Sequence, residues 1–143
     1  MTVELRAVEP SDLPVFFEQQ SDRGAAAMVG LPSRDREAFD AHWARILADR
    51  TTLIRTVLED GAVAGNVLSF IRDDVREVGY WLGRSFWGRG IATAALEGFL
   101  RIETRRPLHA GVARGNGGSV RVLEKCGFVV TDGDGELLDL ILV

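Results

Sequence analysis

The stretch WGRGIATAAL, residues 87–96, decides the fold because it places two glycines directly before an alanine-rich run that favours a helix. The segment EVGYWL, residues 77–82, leads into it and has the pattern of a strand. The first turn of a helix usually carries Asp or Glu, whose charge suits the positive end of the helix dipole. Within 78–96, however, the only charged residues are Arg84 and Arg89. The pattern therefore predicts a strand, a tight turn and a helix N-terminus that binds an external anion.

Main-chain N–H groups at this turn are the predicted anion ligands, because the first N–H groups of a helix have no partner within it. Gly88 and Gly90 lack the Cβ atoms that would block the anion, and Arg84 or Arg89 could pair with phosphate oxygens. A phosphate or pyrophosphate is therefore favoured over a carboxylate. In the alternative interpretation, the two glycines only turn a corner between the strand and the helix.

Two common phosphate-binding motifs do not occur at the turn. It lacks the Gly-Lys-Ser/Thr ending of a nucleotide P-loop, so a Mg²⁺-bound triphosphate has no evident ligands. It also lacks Gly-x-Gly-x-x-Gly followed by an acidic residue for the ribose, which argues against a nicotinamide cofactor. The turn is expected to bind another kind of phosphorylated molecule.

The composition is that of a globular protein, with 46% hydrophobic and 27% charged residues among 143. This length suits a single domain spanning 1–143. The net charge of −4 does not favour nucleic-acid binding, and no apolar run is long enough to cross a membrane. The single cysteine, Cys126, cannot form an intrachain disulfide, which agrees with a reducing compartment and an expected cytoplasmic location.

Hydrophobic periodicity predicts strands and helices in the order β-α-α-β-β-β-α-β-α-β-β. The first helix is expected to begin at Ser11 or Asp12, and the second after a cap at Ser33, which ends a small-residue loop at 24–33. Antiparallel strands beside one β-α-β crossover imply a mixed sheet in an α/β, or layered α+β, domain. The predicted strands are 3–8, 52–59, 62–71, 77–82, 107–113, 127–130 and 136–143, and the predicted helices are 10–22, 36–50, 91–105 and 118–126.

A second motif, NGGSVRVLEKCGFVV at 116–130, opens a helix and ends it at a Cys-Gly pair before a strand. Together the two motifs resemble those of the GNAT superfamily of acyl-CoA-dependent N-acyltransferases. The family's pyrophosphate motif is Arg/Gln-x-x-Gly-x-Gly/Ala, and residues 87–92 match all but its first position. The segments GYWL, at 79–82, and Trp-Gly-Arg-Gly, at 87–90, are similar to those of one branch of the family, the ribosomal-protein N-terminal alanine acetyltransferases. The downstream motif, Asn-x-x-Ser-x-x-x-Leu-Glu-Lys-x-Gly-Phe, matches at Asn116, Ser119, Leu123, Glu124, Lys125, Gly127 and Phe128.

The resemblance covers nearly the whole chain and implies a mixed, mostly antiparallel twisted sheet with helices on both faces. It implies that the central strands at 77–82 and 107–113 splay apart, and that acetyl-CoA is the acyl donor, without a metal. The pyrophosphate would bind the main chain of 88–93, and the pantetheine would lie along the end of the strand at 81–83. The implied cofactor-binding residues are Trp81, Leu82, Gly83, Gly88, Arg89, Gly90, Ile91, Ala92, Thr93, Asn116 and Ser119.

The resemblance also implies direct attack of an amine on the thioester, which needs a proton acceptor and a proton donor. Many members place a tyrosine donor where this chain has Leu123, so Ser119 or water is expected to substitute. Glu77 is the preferred base, since other members have a glutamate on this strand, and His109 is the second candidate. Strand alternation turns Tyr80, the only tyrosine, away from Glu77. The predicted catalytic residues are Glu77 and Ser119.

The predicted reaction is transfer of an acetyl group to a primary amine, on a peptide N-terminus or a small molecule. An α-amine with a pKa near 7.8 needs about 1 kcal/mol to lose its proton at pH 7, whereas a lysine side chain needs roughly 4–5 kcal/mol. The alternative function, suggested by the missing tyrosine, is a catalytically weak CoA-binding regulatory domain. The expected partners are acetyl-CoA and the amine, without nucleic acid or membrane. The chain is expected to be a monomer or a homodimer that pairs through an edge strand such as the last one.

Overall fold

A computed structural model describes residues 1–24, 33–132 and 135–143 of the chain. Most of the loop expected at 24–33 lies outside these ranges. Within them, strands and helices follow one another in the predicted order. The strands are β1 (Val3–Arg6), β2 (Leu53–Glu59), β3 (Ala62–Arg72), β4 (Val75–Leu82), β5 (Leu108–Ala113), β6 (Val129–Asp132) and β7 (Leu137–Leu142), and the helices are α1 (Leu13–Gln20), α2 (Arg36–Ala48), α3 (Ile91–Ile102) and α4 (Gly117–Lys125).

Hydrogen bonds at the helix starts show that one predicted cap is wrong. Asp35, and not Ser33, caps α2, because its carboxylate accepts a hydrogen bond from the Ala38 N–H at 2.8 Å. Ser33 lies too early in the chain, and its hydroxyl donates instead to the Gln20 carbonyl at 2.9 Å. A 3₁₀ turn at Pro10–Asp12 precedes α1, and Asp12, one of the two predicted caps, is the N-cap residue of this helix.

In the described residues the strands form a mixed sheet in the order β1-β2-β3-β4-β5-β7-β6. Every neighbouring pair is antiparallel except β4 and β5, which are parallel because α3 crosses over between them. The predicted α/β, mostly antiparallel architecture is confirmed. The expectation that the last strand is an edge is wrong, since β7 lies between β5 and β6.

The two parallel strands diverge soon after they meet. Their register contains a single residue pair, Glu77 with His109, although β4 continues to Leu82 and β5 to Ala113. Main-chain groups on the facing edges beyond this pair are therefore not joined to each other. The predicted splaying of the central strands is confirmed, and it leaves a gap in the middle of the sheet.

Helices cover both faces of the sheet, as predicted. On one face, α3 and α4 pack on the strands around the buried side chains of Leu96 and Phe99. On the other face, α1 and α2 meet at Phe16 and Trp43, whose ring centroids are 5.0 Å apart. Side chains alternate along β4, so the two faces of the sheet receive different residues. Val78, Tyr80 and Leu82 point towards α3 and α4, whereas Glu77, Gly79 and Trp81 point towards α1 and α2.

Gly65 lies where the main chains of β3 and β4 come closest. A Cβ atom at this position would lie 1.9 Å from the Trp81 carbonyl oxygen, so a side chain fits only if a strand moves. The register between β2 and β3 also shifts next to this residue, between Val57 and Leu58. Gly65 therefore determines how tightly β4 is held against β3, on the side away from the gap.

A buried carboxylate joins β1, β2 and the start of α1. Asp12 is 1% exposed and accepts hydrogen bonds from the Arg6 guanidinium, the Thr56 hydroxyl and the Glu9 N–H, at distances of 2.6 to 2.9 Å. Burial raises the pKa of Asp12, but these hydrogen bonds outweigh burial and lower the pKa from 3.8 to about 2. The folded protein therefore favours the ionised carboxylate more strongly than the unfolded chain does.

Acid is expected to weaken this network over a defined pH range. Because the folded pKa of Asp12 is lowered, its contribution of about 2 kcal/mol is complete above about pH 5 and is lost as the pH falls towards about 2. Asp12→Asn should lower the free energy of unfolding at neutral pH by about 3 kcal/mol and remove this share of the acid dependence. Urea unfolding at a series of pH values measures both effects.

The matched control is Asp40→Asn, because Asp40 forms an exposed ion pair with Arg36 on α2. This variant should change the free energy of unfolding by less than about 1 kcal/mol. If Asp12→Asn unfolded with the same acid dependence as the unmodified protein, Asp12 would not be the group that titrates.

Candidate active site

A cavity of about 700 Å³ opens where the N-termini of α3 and α4 face the end of β4. Its wall consists of the strand end, the glycine turn, the first turn of α3 and residues 115–119. Gly83 and Arg89 are the two predicted cofactor-binding residues that do not line it. The others all do: Trp81, Leu82, Gly88, Gly90, Ile91, Ala92, Thr93, Asn116 and Ser119.

The glycine turn adopts a main-chain conformation that favours glycine. Gly88 and Gly90 have positive φ angles of +70° and +79°, where residues with a side chain are strained. A Cβ atom added at either position would meet no atom within 4 Å, so the approach to the main chain is open. At the helix start, the N–H of Ala94 donates to the Gly90 carbonyl. The preceding N–H groups, at 91–93, have no partner within the helix and are available to a ligand.

Both arginines of the turn are paired within the protein. Arg84 forms an ion pair with Asp22, and Arg89 forms one with Glu59. The partners lie on other elements, far away in the sequence, so the helix start alone gave no sign of them. The available phosphate ligands of this turn are therefore its main-chain N–H groups.

The strand end at 81–83 is partly used by the protein itself. The N–H of Gly83 donates to the Ala64 carbonyl at 2.9 Å, which extends the pairing of β3 with β4. The Leu82 carbonyl accepts a hydrogen bond from the Trp87 indole at 3.0 Å. The Gly83 N–H therefore does not face the gap between β4 and β5.

Two cations that the sequence reasoning missed, Arg121 and Lys125, line the same cavity from α4. They are exposed and one helical turn apart, so they share a face of the helix. Neither forms an ion pair in the part of the chain that the structure describes. Their spacing of four residues, just after the helix start at Asn116, is the signal that could have identified them.

Ser119 of α4 contacts Tyr80 of β4 in this cavity. The two hydroxyl oxygens are 2.5 Å apart and form a hydrogen bond. Burial raises the pKa of Tyr80, although the hydrogen bond with Ser119 opposes this effect, so the phenol is protonated at neutral pH. Asn116 caps α4 by accepting a hydrogen bond from the Ser119 N–H at 3.2 Å. Leu123, at the family's usual tyrosine position, is 2% exposed and belongs to the core.

A second cavity, of about 510 Å³, lies on the face of the sheet covered by α1 and α2. Tyr80 and Trp81 line both cavities, so the two cavities approach each other at these residues of β4, beyond its pairing with β5 at Glu77. The Trp81 indole N–H is buried and has no hydrogen-bond partner among the described residues. A buried donor without a partner commonly indicates a place where a ligand or water binds.

The two candidate bases, Glu77 and His109, lie side by side on neighbouring strands but line neither cavity. Both carboxylate oxygens of Glu77 accept hydrogen bonds from Arg72, at 2.7 and 2.9 Å. His109 Nδ1 lies 3.4 Å from a carboxylate oxygen of Asp139. Arg72 does line the second cavity, so Glu77 holds a residue of the cavity wall.

No group of His, Cys, Asp and Glu residues in 1–24, 33–132 and 135–143 is arranged to hold a metal ion. In the same ranges, no helix is both long enough and apolar enough to cross a bilayer.

The comparisons with known sequences agree with this geometry. Residues 2–129 match the family model of the acetyltransferase (GNAT) domain. A curated relative from Bacillus subtilis (strain 168), named "Putative ribosomal N-acetyltransferase YdaF", is 33% identical. The match covers 89% of this chain and 78% of that protein.

Solved structures share the fold at low sequence identity. The spermidine N-acetyltransferase from Vibrio cholerae, in complex with CoA and spermine, has a TM-score of 0.80 at 19% identity, over 97% of this chain and 92% of that chain. The aminoglycoside acetyltransferase AAC(6')-Ib, in complex with coenzyme A, has a TM-score of 0.81 at 17% identity, over 99% and 94%. The family match spans most of the chain and includes the glycine turn. The chain therefore belongs to the GNAT family and is an N-acetyltransferase that uses acetyl-CoA as its acetyl donor.

Proposed function

We propose that the acetyl group passes directly to the acceptor amine where the two cavities meet, beside Tyr80 and Trp81. Acetyl-CoA supplies the acetyl group as a thioester, which a neutral amine can attack. The observation that carries the proposal is that cavities on opposite faces of the sheet share these two residues. The coenzyme and the amine would bind at the same time, one on each face, without a nucleophile from the protein.

The main chain of 88–93 is proposed to hold the pyrophosphate of the coenzyme. Its helix-start N–H groups have no partner within the helix, and the two glycines leave the approach open. Arg121 and Lys125 add positive charge beside the same cavity. Asn116 keeps its capping hydrogen bond and thereby fixes the first turn of α4, and Trp81 and Leu82 are proposed to flank the pantetheine.

We propose that the hydroxyl pair of Tyr80 and Ser119 supplies the proton for the departing thiolate. A thiol has a pKa near 8.5, so its departure at neutral pH needs only a modest donor. Tyr80 is protonated at neutral pH, and its 2.5 Å hydrogen bond lets one hydroxyl donate while the other replaces the proton. The pair would thus take the place of the tyrosine that Leu123 replaces.

Glu77 lines neither cavity but is bound to Arg72 of the cavity wall, so it is proposed as a base that takes the proton of the amine through a water. Glu77→Gln should then lower kcat/KM about tenfold or more near pH 7 and much less near pH 9, where more of the amine is already neutral. The pH dependence of the initial rate measures this difference. Arg72→Gln is the matched control, since it breaks the same ion pair but keeps the carboxylate. An equal loss at both pH values would leave Glu77 only the role of holding Arg72.

Release of free CoA thiol from acetyl-CoA tests the proposed function. The purified protein should release thiol when a primary amine is added, and mass spectrometry should find the acetylated amine in equal amount. Binding of CoA without turnover of any amine in a broad panel would favour the alternative function, a CoA-binding regulatory domain. Intersecting initial-rate lines, obtained by varying both substrates, would support simultaneous binding.

We further propose that residues 1–143 act as a single domain in the cytoplasm, as a monomer or a homodimer. The lone cysteine, Cys126, is unpaired and half-buried, which suits a reducing compartment. Exposed apolar side chains on β6 and β7, Val129 and Leu137, provide a surface through which two copies could pair. Sedimentation of the purified chain distinguishes the two oligomeric states.

A further inference from the structure

The second cavity is lined by more positive than negative side chains. Arg34, Arg45 and Arg72 line it, and Asp49 is the carboxylate among its described lining residues. The charge that an acceptor meets in this cavity is therefore positive.

The ion pairs of the protein leave two of these cations available. Arg34 and Arg45 take part in no ion pair within the described residues, whereas Arg72 is bound by Glu77. The Asp49 carboxylate is itself occupied, because it accepts hydrogen bonds from the Thr51 N–H and hydroxyl at 2.8 and 2.7 Å. The described lining of the cavity therefore includes two arginines without an ion-pair partner and one carboxylate that is already hydrogen-bonded.

His42 also lines the cavity, and its pKa is affected by the same arginines. Burial lowers the pKa of His42, and the positive charges of Arg34 and Arg45 lower it further, so the imidazole is neutral at pH 7. The same charges disfavour any ammonium group placed nearby. An acceptor amine in this cavity therefore loses its proton more readily and becomes the neutral nucleophile that acetyl transfer needs.

The floor of the cavity is apolar and aromatic. Phe39 and Trp43 of α2 form one part, with ring centroids 5.9 Å apart, and Phe70 and Trp81 of the sheet form another. Aromatic surfaces of this kind bind apolar groups, and the cation–π attraction that they offer an ammonium group is opposed here by the positive charges of the arginines.

We infer that the acceptor is a primary amine that also carries a carboxylate, which Arg34 and Arg45 bind while an apolar part packs on the aromatic floor. The inference rests on the proposed function and specifies its substrate class. It separates this protein from the Vibrio cholerae enzyme solved with spermine, since a polyamine would be repelled by the cavity of this chain.

Peptide acceptors that differ in one charge test the inference. The panel consists of Ala-Phe-Glu, Ala-Phe-Gln and Ala-Phe-Lys, all as C-terminal amides, together with spermidine. We expect kcat/KM for thiol release to fall about fivefold from Glu to Gln, and about fivefold again from Gln to Lys. Calorimetry on the CoA-bound protein should give the same order of Kd values, as a readout that does not depend on turnover.

Arg45→Glu should reverse the preference between the Glu and Lys peptides, and Arg34→Glu should reduce it. Arg101→Glu is the matched control, because it makes the same charge change on α3, outside the second cavity, and should keep the original order. Phenylalanine and phenylalaninamide form the small-molecule arm. A stronger preference for free phenylalanine than for Ala-Phe-Glu would identify a small amino acid as the source of the carboxylate, and the reverse result an acidic peptide.

The outcomes separate the two proposals. Equal rates and affinities across the panel, or a preference for spermidine or the Lys peptide, would overturn the acidic acceptor while leaving acetyl transfer in place. Turnover of none of the amines would overturn the proposed function and, with it, the inference. Preference for the Glu peptide, reversed by Arg45→Glu and kept by Arg101→Glu, is the result we expect.

Discussion

Replacing Gly90 with glutamate is expected to raise the Kd for CoA by about a hundredfold or more. Gly90 has a φ of +79°, and a side chain there would extend into the open space in front of the helix start. A glutamate adds backbone strain of about 1–2 kcal/mol and places a negative charge where the pyrophosphate is proposed to bind. Calorimetric titration with CoA measures the loss directly.

Gly61→Glu is the matched control for backbone strain. Gly61 has a φ of +85°, its Cβ position is also free of neighbours, and it lies in the turn between β2 and β3, outside the cofactor cavity. This variant should lose a similar amount of stability but keep the affinity for CoA. Gly90→Ala should show an intermediate loss, because it adds strain without charge. Unchanged affinity in Gly90→Glu would mean that the coenzyme binds elsewhere.

Removing the hydroxyl of Tyr80 should have the second largest effect. Tyr80→Phe is expected to lower kcat about a hundredfold while the Kd for CoA changes little, because general acid catalysis typically contributes factors of this size. Stopped-flow or steady-state thiol release measures the rate, and calorimetry measures the affinity. The loss should be smallest when the leaving thiol is made more acidic, because a better leaving group needs less help.

Ser119→Ala provides the partner variant for the hydroxyl pair. If the two hydroxyls act as one unit, the double variant should be about as slow as the slower single variant, and the two effects should not multiply. If the two effects on kcat multiplied, the hydroxyls would have separate roles in the reaction. An unchanged kcat in Tyr80→Phe would remove this tyrosine from the reaction and leave water as the donor.

Most of the correct predictions rest on local patterns in the sequence. The glycine turn and the start of α3 are determined by residues within a few positions of one another, so the sequence shows them directly. Alternation along β4 likewise predicted that Tyr80 faces away from Glu77, and the two residues lie on opposite faces of the sheet. The resemblance then predicted how the central strands splay, which their single paired position shows.

Contacts between distant segments explain what the sequence could not show. Arg89 is paired with Glu59 and Tyr80 with Ser119, and neither partnership follows from spacing along the chain. The last strand was expected at an edge, but β7 folds back antiparallel to β6 and lies between β6 and β5, inside the sheet. The charge of the second cavity also depends on the packing of α2 against β3 and β4, since Arg34, Arg45 and Arg72 come from separate elements.

Gly65 lines neither cavity, yet it limits how close β4 can come to β5 beside the proposed active site. A methyl group there would need the space now taken by the Trp81 carbonyl, and a shift of β4 towards β5 would make that room. The opening through which the acetyl group is proposed to reach the amine would then narrow. The absence of a side chain at Gly65 thus keeps this opening wide. Substitutions at position 65 should therefore lower turnover as well as the free energy of unfolding.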